Sequence, residues 1–178
     1  MPIRNFPFMR LNMLRQSRPA LGLRFIRCDD NKKAFRTFGI VDTGAERCSL
    51  PFSYAIALGF KEEELGTPQD LGSAGGKILG YPCVINVEVY EANYSDSGVK
   101  RSSEGPQENT KKVYVLCEIP VYFIKSLNEV LIGNEGFLDQ FILRINYPKQ
   151  TFSLILKKSF LDFIKDFARR IASLIGIE

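Results

Sequence analysis

The tetrapeptide Asp42-Thr43-Gly44-Ala45 carries the clearest chemistry in this sequence. The apolar run Phe38-Gly39-Ile40-Val41 delivers a carboxylate into a turn, and Gly44 leaves backbone amides free to point at it. One carboxylate alone is a poor catalyst of amide hydrolysis. Two side by side share one proton, so that one acts as base and the other as acid on a single water. The competing chemistries are narrowed by composition. The 178 residues contain no histidine, which removes Ser-His and Cys-His nucleophiles and every His-ligated metal. The four cysteines, Cys28, Cys48, Cys83 and Cys117, form no CxxC pair, and each lies in or beside an apolar run. They read as buried, reduced thiols. No metal or other cofactor is expected.

The elements that must position this turn are mostly strands. Leu21–Arg27 and Ala34–Val41 flank the turn cluster Asp29-Asp30-Asn31-Lys32 and read as a hairpin ending at Asp42. A short helix near Phe52–Leu58 is stopped by Gly59. Leu71–Lys77 is a glycine-rich turn, and Val84–Tyr90 and Val113–Phe123 have β character. Asn93–Lys112 is polar and reads as a long exposed loop. Leu131-Ile132-Gly133 precedes a short helical stretch, Glu135–Phe141. Leu143–Tyr147 and Thr151–Leu156 enclose the turn Pro148-Lys149-Gln150. The tail changes character: Phe160, Phe163, Ile164, Phe167, Ile171, Leu174 and Ile175 recur at helical spacing, predicting an amphipathic helix over 159–177 of about five turns.

Three blocks in this order resemble the retropepsin family, the single-lobed aspartic proteases of retroviruses and their cellular and bacterial relatives. They are Gly39-Ile40-Val41-Asp42-Thr43-Gly44-Ala45, the glycine-rich Gly72-Ser73-Ala74-Gly75-Gly76, and Val130-Leu131-Ile132-Gly133 followed by Phe137-Leu138 and Phe141. The resemblance spans about residues 21–157. It implies an all-β fold: a closed barrel-like lobe with short helices, to which this chain adds its C-terminal amphipathic helix. It implies that Asp42 is the catalytic aspartate, that the Thr43 hydroxyl locks against a partner turn, and that Gly44 supports the site through its backbone. Ala45, Glu46, Ala74, Gly75 and Gly76 are the implied substrate-binding positions, the last three at the tip of a flap. Leu131-Ile132-Gly133 would pack behind the catalytic turn.

The sequence also departs from the family. Retroviral enzymes commonly place Asp after DTGA and Arg after the distal glycine, and the two pair. Here those positions hold Glu46 and Asn134, which leaves that interlock in doubt. A second D-S-G, Asp96-Ser97-Gly98, is delivered by no apolar strand and reads as a solvated turn. One chain therefore supplies one aspartate, and the implied activity is that of a homodimer acting on a peptide or protein substrate. The alternative is a retropepsin-like module that binds a peptide or protein without cutting it.

The ends are read separately as a basic arm, 1–20, and the helix, 159–177. The arm is rich in arginine before the first acid, Asp29, so an organelle transit peptide stays open beside a cytoplasmic location. A net charge of +4 is weaker than nucleic-acid binders carry, and no nucleic-acid partner is expected. No run reaches the ~18–20 apolar residues of a membrane span. Membrane contact through the C-terminal helix is the less favoured reading beside packing on the domain or a dimer.

Overall fold

The computed structural model describes residues 3–11, 16–73, 76–91 and 110–157. The 159–177 helix, the flap-tip residues Ala74 and Gly75, the Asp96-Ser97-Gly98 turn and all of the 93–112 loop before residue 110 lie outside them.

Strands dominate, as the alternating apolar runs require: β1 Ile3–Pro7, β2 Ala20–Arg27, β3 Ala34–Val41, β4 Cys48–Pro51, β5 Gln69–Ser73, β6 Gly76–Tyr90, β7 Lys112–Ile124, β8 Val130–Ile132, β9 Phe141–Asn146 and β10 Thr151–Leu156. The larger sheet runs β2-β3-β8-β4-β7-β6-β5, and a β2–β6 pairing closes its first six strands into a barrel. The closing register runs from Gly22 opposite Tyr90 to Arg27 opposite Ile85. The expected all-β closed lobe is thus what the chain forms. Its interior is filled by Leu21, Leu23, Phe25, Leu50, Ile85 and Phe123, none with measurable exposure. Each such side chain contributes roughly 1.5–3 kcal/mol through burial.

The second sheet, β1-β10-β9, is antiparallel throughout. Ile3, Phe6, Phe152 and Leu154 join the core of the barrel, and the Tyr114 hydroxyl on β7 donates to the Leu154 carbonyl at 3.0 Å. Within the basic arm, then, residues 3–7 are a strand of the fold, and Met9 and Leu11 are buried against Ala20 and Phe38.

The one α-helix among the described residues, α1 Phe52–Ala57, begins after Pro51 and ends before Gly59, whose φ of +72° suits glycine. Two turns of 3-10 helix follow at Glu62–Glu64 and Leu138–Gln140. Arg27 fastens the first of these to the barrel: its guanidinium donates to both carboxylate oxygens of Asp29, to Glu64 Oε1 and to the Gly59 carbonyl, and lies 4.2 Å above the Phe60 ring.

Two sequence expectations change. The helical stretch Glu135–Phe141 is only a 3-10 turn, because Gly136 adopts φ +76° under Pro120 and breaks the helix at its start. All four thiols are free, but only Cys48 is buried; Cys83 is intermediate, and Cys28 and Cys117 are exposed. Cys28 falls just past the end of β2, and Cys117 sits at the bulge where β6 and β7 slip register between Ile85 and Val87. Neither position faces the barrel interior.

Candidate active site

Strand β3 runs parallel to β8, with Gly39, Ile40 and Val41 opposite Val130, Leu131 and Ile132. This pairing aims the end of β3 at one point. A Cβ on Gly39 would lie 2.8 Å from the Leu23 side chain and 2.9 Å from that of Ile132, so a larger residue there would have to displace both. The pairing continues one residue further, where the Asp42 amide donates to the Ile132 carbonyl at 3.0 Å. The expected packing of Leu131-Ile132-Gly133 behind the turn is therefore present.

The turn closes on itself. The Gly44 amide donates to Asp42 Oδ1 at 2.9 Å, and the Ala45 amide donates to the Asp42 carbonyl at 3.3 Å. One oxygen of the Asp42 carboxylate is thereby held in place by backbone rather than by a mobile side chain. Asp42 and Ala45 are half-buried, whereas Thr43, Gly44 and Glu46 are exposed.

From behind, Asn134 secures the turn. Its carboxamide nitrogen donates to the Thr43 carbonyl at 2.8 Å and to the Ala45 carbonyl at 3.2 Å, and its own amide donates to Ala45 at 3.0 Å. Asn134 thus fastens the turn by neutral hydrogen bonds alone. An ion pair exists nonetheless, one residue along each segment. The Arg47 guanidinium engages both oxygens of Glu135, and the two residues form a parallel bridge. That contact holds the Glu135 carboxyl below its ordinary range, and it raises Arg47 in turn. The backbones touch at the same place: a Cβ on Gly133 would stand 2.4 Å from the Arg47 carbonyl carbon and oxygen.

Strands β5 and β6 form a hairpin outside the barrel closure, with Gln69 opposite Gly80 and Ser73 opposite Gly76. Gly76 has φ +111°, and neither Gly72 nor Gly76 has an atom within 4 Å of where a Cβ would sit. Both positions on this hairpin would leave room for a side chain. Its ion pair, Lys77 with Asp70 at 3.3 Å, is between exposed side chains and contributes little.

Of the residues singled out in the sequence, Asp42, Thr43, Gly44, Ala45 and Glu46 share one turn, and Gly76 lies on the separate hairpin. Sequence reasoning missed Arg47, Glu135, Tyr122 and Gln69, which hydrogen bonds link into one row beside the turn. Among the described residues, no three His, Cys, Asp or Glu side chains converge as a metal site.

No family model matches the sequence, and no curated protein matches it significantly. Solved structures do. A retropepsin-like aspartic protease from Rickettsia conorii superposes with a TM-score of 0.52 over 85% of this chain and 90% of that one, at 19% identity. The protease of EIAV, complexed with the inhibitor HBY-793, aligns over 71% of this chain and 88% of its own at 13% identity, with a TM-score of 0.37, too low to carry weight here. The chain has a retropepsin-like fold.

Proposed function

We propose that this chain is an aspartic endopeptidase working as a homodimer, with Asp42 of each subunit supplying one carboxylate of a water-activating pair. The observation that carries the reading is the Asp42 turn. Its carboxylate is fixed by the Gly44 amide and its backbone is pinned from behind by Ile132 and Asn134, while Thr43 and Gly44 are left exposed. Two such turns facing one another across a two-fold axis would bring the carboxylates together and cover those exposed residues. One carboxylate, ionised, takes a proton from water while the other, protonated, polarises the scissile carbonyl. The Thr43 hydroxyl is the group available to cross between the turns. The β5–β6 hairpin, with Ala74, Gly75 and Gly76 at its tip, closes over an extended peptide gripped through its backbone. Ala45 and Glu46, leading out of the turn, are the other substrate contacts.

The test is hydrolysis of a peptide library by the purified chain and by Asp42→Asn. The variant should lose about 10³-fold or more in kcat/KM while keeping the wild-type circular dichroism spectrum. Wild-type specific activity should also fall on dilution below the dimer dissociation constant. Cleavage by the variant at the wild-type rate would refute the mechanism. Peptide binding without cleavage by the wild type would establish the non-proteolytic module instead.

A further inference from the structure

We propose that the outer face of the β1-β10-β9 sheet holds a binding site for a phosphate group, either free or carried by a small phosphate ester, gripped between Arg4 and Arg144. None of its residues belongs to the Asp42 turn, and the site stands independently of the peptidase reading.

The site begins with a bulge. Ile3 lies opposite Leu154 and Phe6 opposite Phe152, so β1 uses two residues, Arg4 and Asn5, where β10 uses only Ser153. Asn5 takes the extra turn at φ +52°, a conformation that asparagine tolerates better than most residues. Ile3 and Phe6 stay buried, whereas Arg4 and Asn5 are both exposed on the outer side of the sheet. Across β10, Ser153 pairs with Arg144 of β9. One serine is therefore flanked by an arginine on each side, and the adjoining rung, Thr151 with Asn146, is polar too. These residues line an open groove of about 460 Å³, a volume ordinary for a small-ligand site.

The polar groups of the groove are set as donors. A guanidinium only donates, and among the described residues neither Arg4 nor Arg144 has a carboxylate partner, whereas Arg24, Arg27 and Arg47 are each ion-paired. The Ser153 hydroxyl accepts from the Asn5 amide at 3.0 Å, which leaves its own proton to give. The Asn146 carboxamide oxygen accepts from the Lys149 amide at 3.1 Å, so its nitrogen is the end left over. Among the described residues that line the groove there is no aspartate or glutamate. Such a set selects an anion, and its geometry selects the kind. A carboxylate is filled by one guanidinium fork. Two forks from opposite strands, with a hydroxyl between them, suit the three oxygens and double charge of a phosphate. On the other side of Ser153 the next rung is Ile155 opposite the exposed Ile142, an apolar end for the organic part of an ester.

The test is isothermal titration calorimetry of the full chain with phenyl phosphate, inorganic phosphate and benzoate, in a buffer free of phosphate. Arg4→Gln, Arg144→Gln and Lys32→Gln are titrated beside wild type. Both arginines are exposed, so their variants should keep the wild-type circular dichroism spectrum. Lys32 is exposed in the turn between β2 and β3, outside the groove, and its loss changes the net charge equally. Phenyl phosphate should bind wild type, and each arginine substitution should weaken it about ten-fold, with Lys32→Gln changing it less than about two-fold. Benzoate has the same ring and one charge, and should bind at least about ten-fold more weakly than phenyl phosphate. Tighter binding of phenyl phosphate than of inorganic phosphate assigns the site to an ester; equal binding assigns it to the free ion. No phosphate binding at millimolar concentration, benzoate as tight as phenyl phosphate, or equal weakening by Lys32→Gln and the arginine substitutions would overturn the site.

Discussion

Glu88 offers the sharpest test of how the barrel stays closed. It sits on β6 directly opposite Arg24 of β2, at the seam where the barrel closes. Its side chain is 9% exposed. Desolvation at such a site would push the carboxyl up, but hydrogen bonds from Lys112 at 2.7 Å, Tyr90 at 2.6 Å and Arg24 at 3.2 Å outweigh it and hold Glu88 at about 2, against its usual 4.5. A carboxyl depressed on folding contributes stability above its unfolded value, and that contribution is lost as pH falls from about 4.5 through about 2. The difference corresponds to about 3 kcal/mol at pH 7 and about 1 kcal/mol at pH 3. Screening at Lys112, whose side chain is 47% exposed, brings the pH 7 figure to roughly 2–3 kcal/mol. Glu88→Gln removes the charge and leaves two cations facing a neutral amide. Urea denaturation of wild type and variant at equal protein concentration should give a gap of that size at pH 7, shrinking by about half toward pH 3. An equal gap at both pH values would show that Glu88 acts through packing, and the electrostatic argument would fall. The consequence is that the seam keeps this contribution on the acidic side of neutrality, down to about pH 4.5.

Gly133→Ala should cost at least about 2 kcal/mol of stability, because its Cβ would drive into the Arg47 backbone at 2.4 Å; a melting temperature equal to wild type would contradict the close approach. The cysteines should divide by accessibility. Burial pushes the Cys48 thiol up to about 12, so alkylation mapped by mass spectrometry should spare it in the folded chain while labelling the exposed Cys28 and Cys117. Labelling of Cys48 as fast as Cys117 would mean that β4 opens readily.

How much of this was legible from the sequence depended on the range of the forces involved. The β2–β3 hairpin, α1 and the β9–β10 hairpin are set by local alternation and turn residues, and they lie within a residue or two of where the sequence puts them. Strand β6 starts earlier than expected, at Gly76 instead of Val84, because Gly80 and Pro82 look like turn residues and are tolerated only by their particular neighbours. The turn at Asp42 was legible because an apolar strand ending in Asp-Thr-Gly is a local pattern. The Arg47–Glu135 pair was not, since 88 residues separate the partners and neither lies in a position that periodicity marks. Gln69 and Tyr122 gave no signal either, because a hydroxyl on a strand and an amide at a strand start are ordinary surface chemistry until folding joins them. Burial of the cysteines was misjudged for a related reason: an apolar neighbourhood in sequence does not say which side of a strand faces inward, least of all at a bulge.

Asn134 and the Arg47–Glu135 pair divide the fastening of this part of the fold between them. The turn is held from behind and its outer residues, Thr43 and Gly44, are exposed. A single side chain reaching into the turn from behind can meet its two inward carbonyls, Thr43 and Ala45, and a short carboxamide does so without placing a charge beside the Asp42 carboxylate. The ionic fastening is then free to move outward to Arg47 and Glu135. There it no longer touches the turn, and it is available to the hairpin through Tyr122. Support of the turn and seating of the hairpin are thereby assigned to neighbouring residues on the same two segments, Asn134 beside Glu135 and Ala45 two residues before Arg47. The backbone bonds from Asn134 to Ala45 and from Glu135 to Glu46 keep these pairs in register. What remains unfastened by hydrogen bonding from behind is the exposed outer side of Thr43 and Gly44, the side that the dimer we propose would cover.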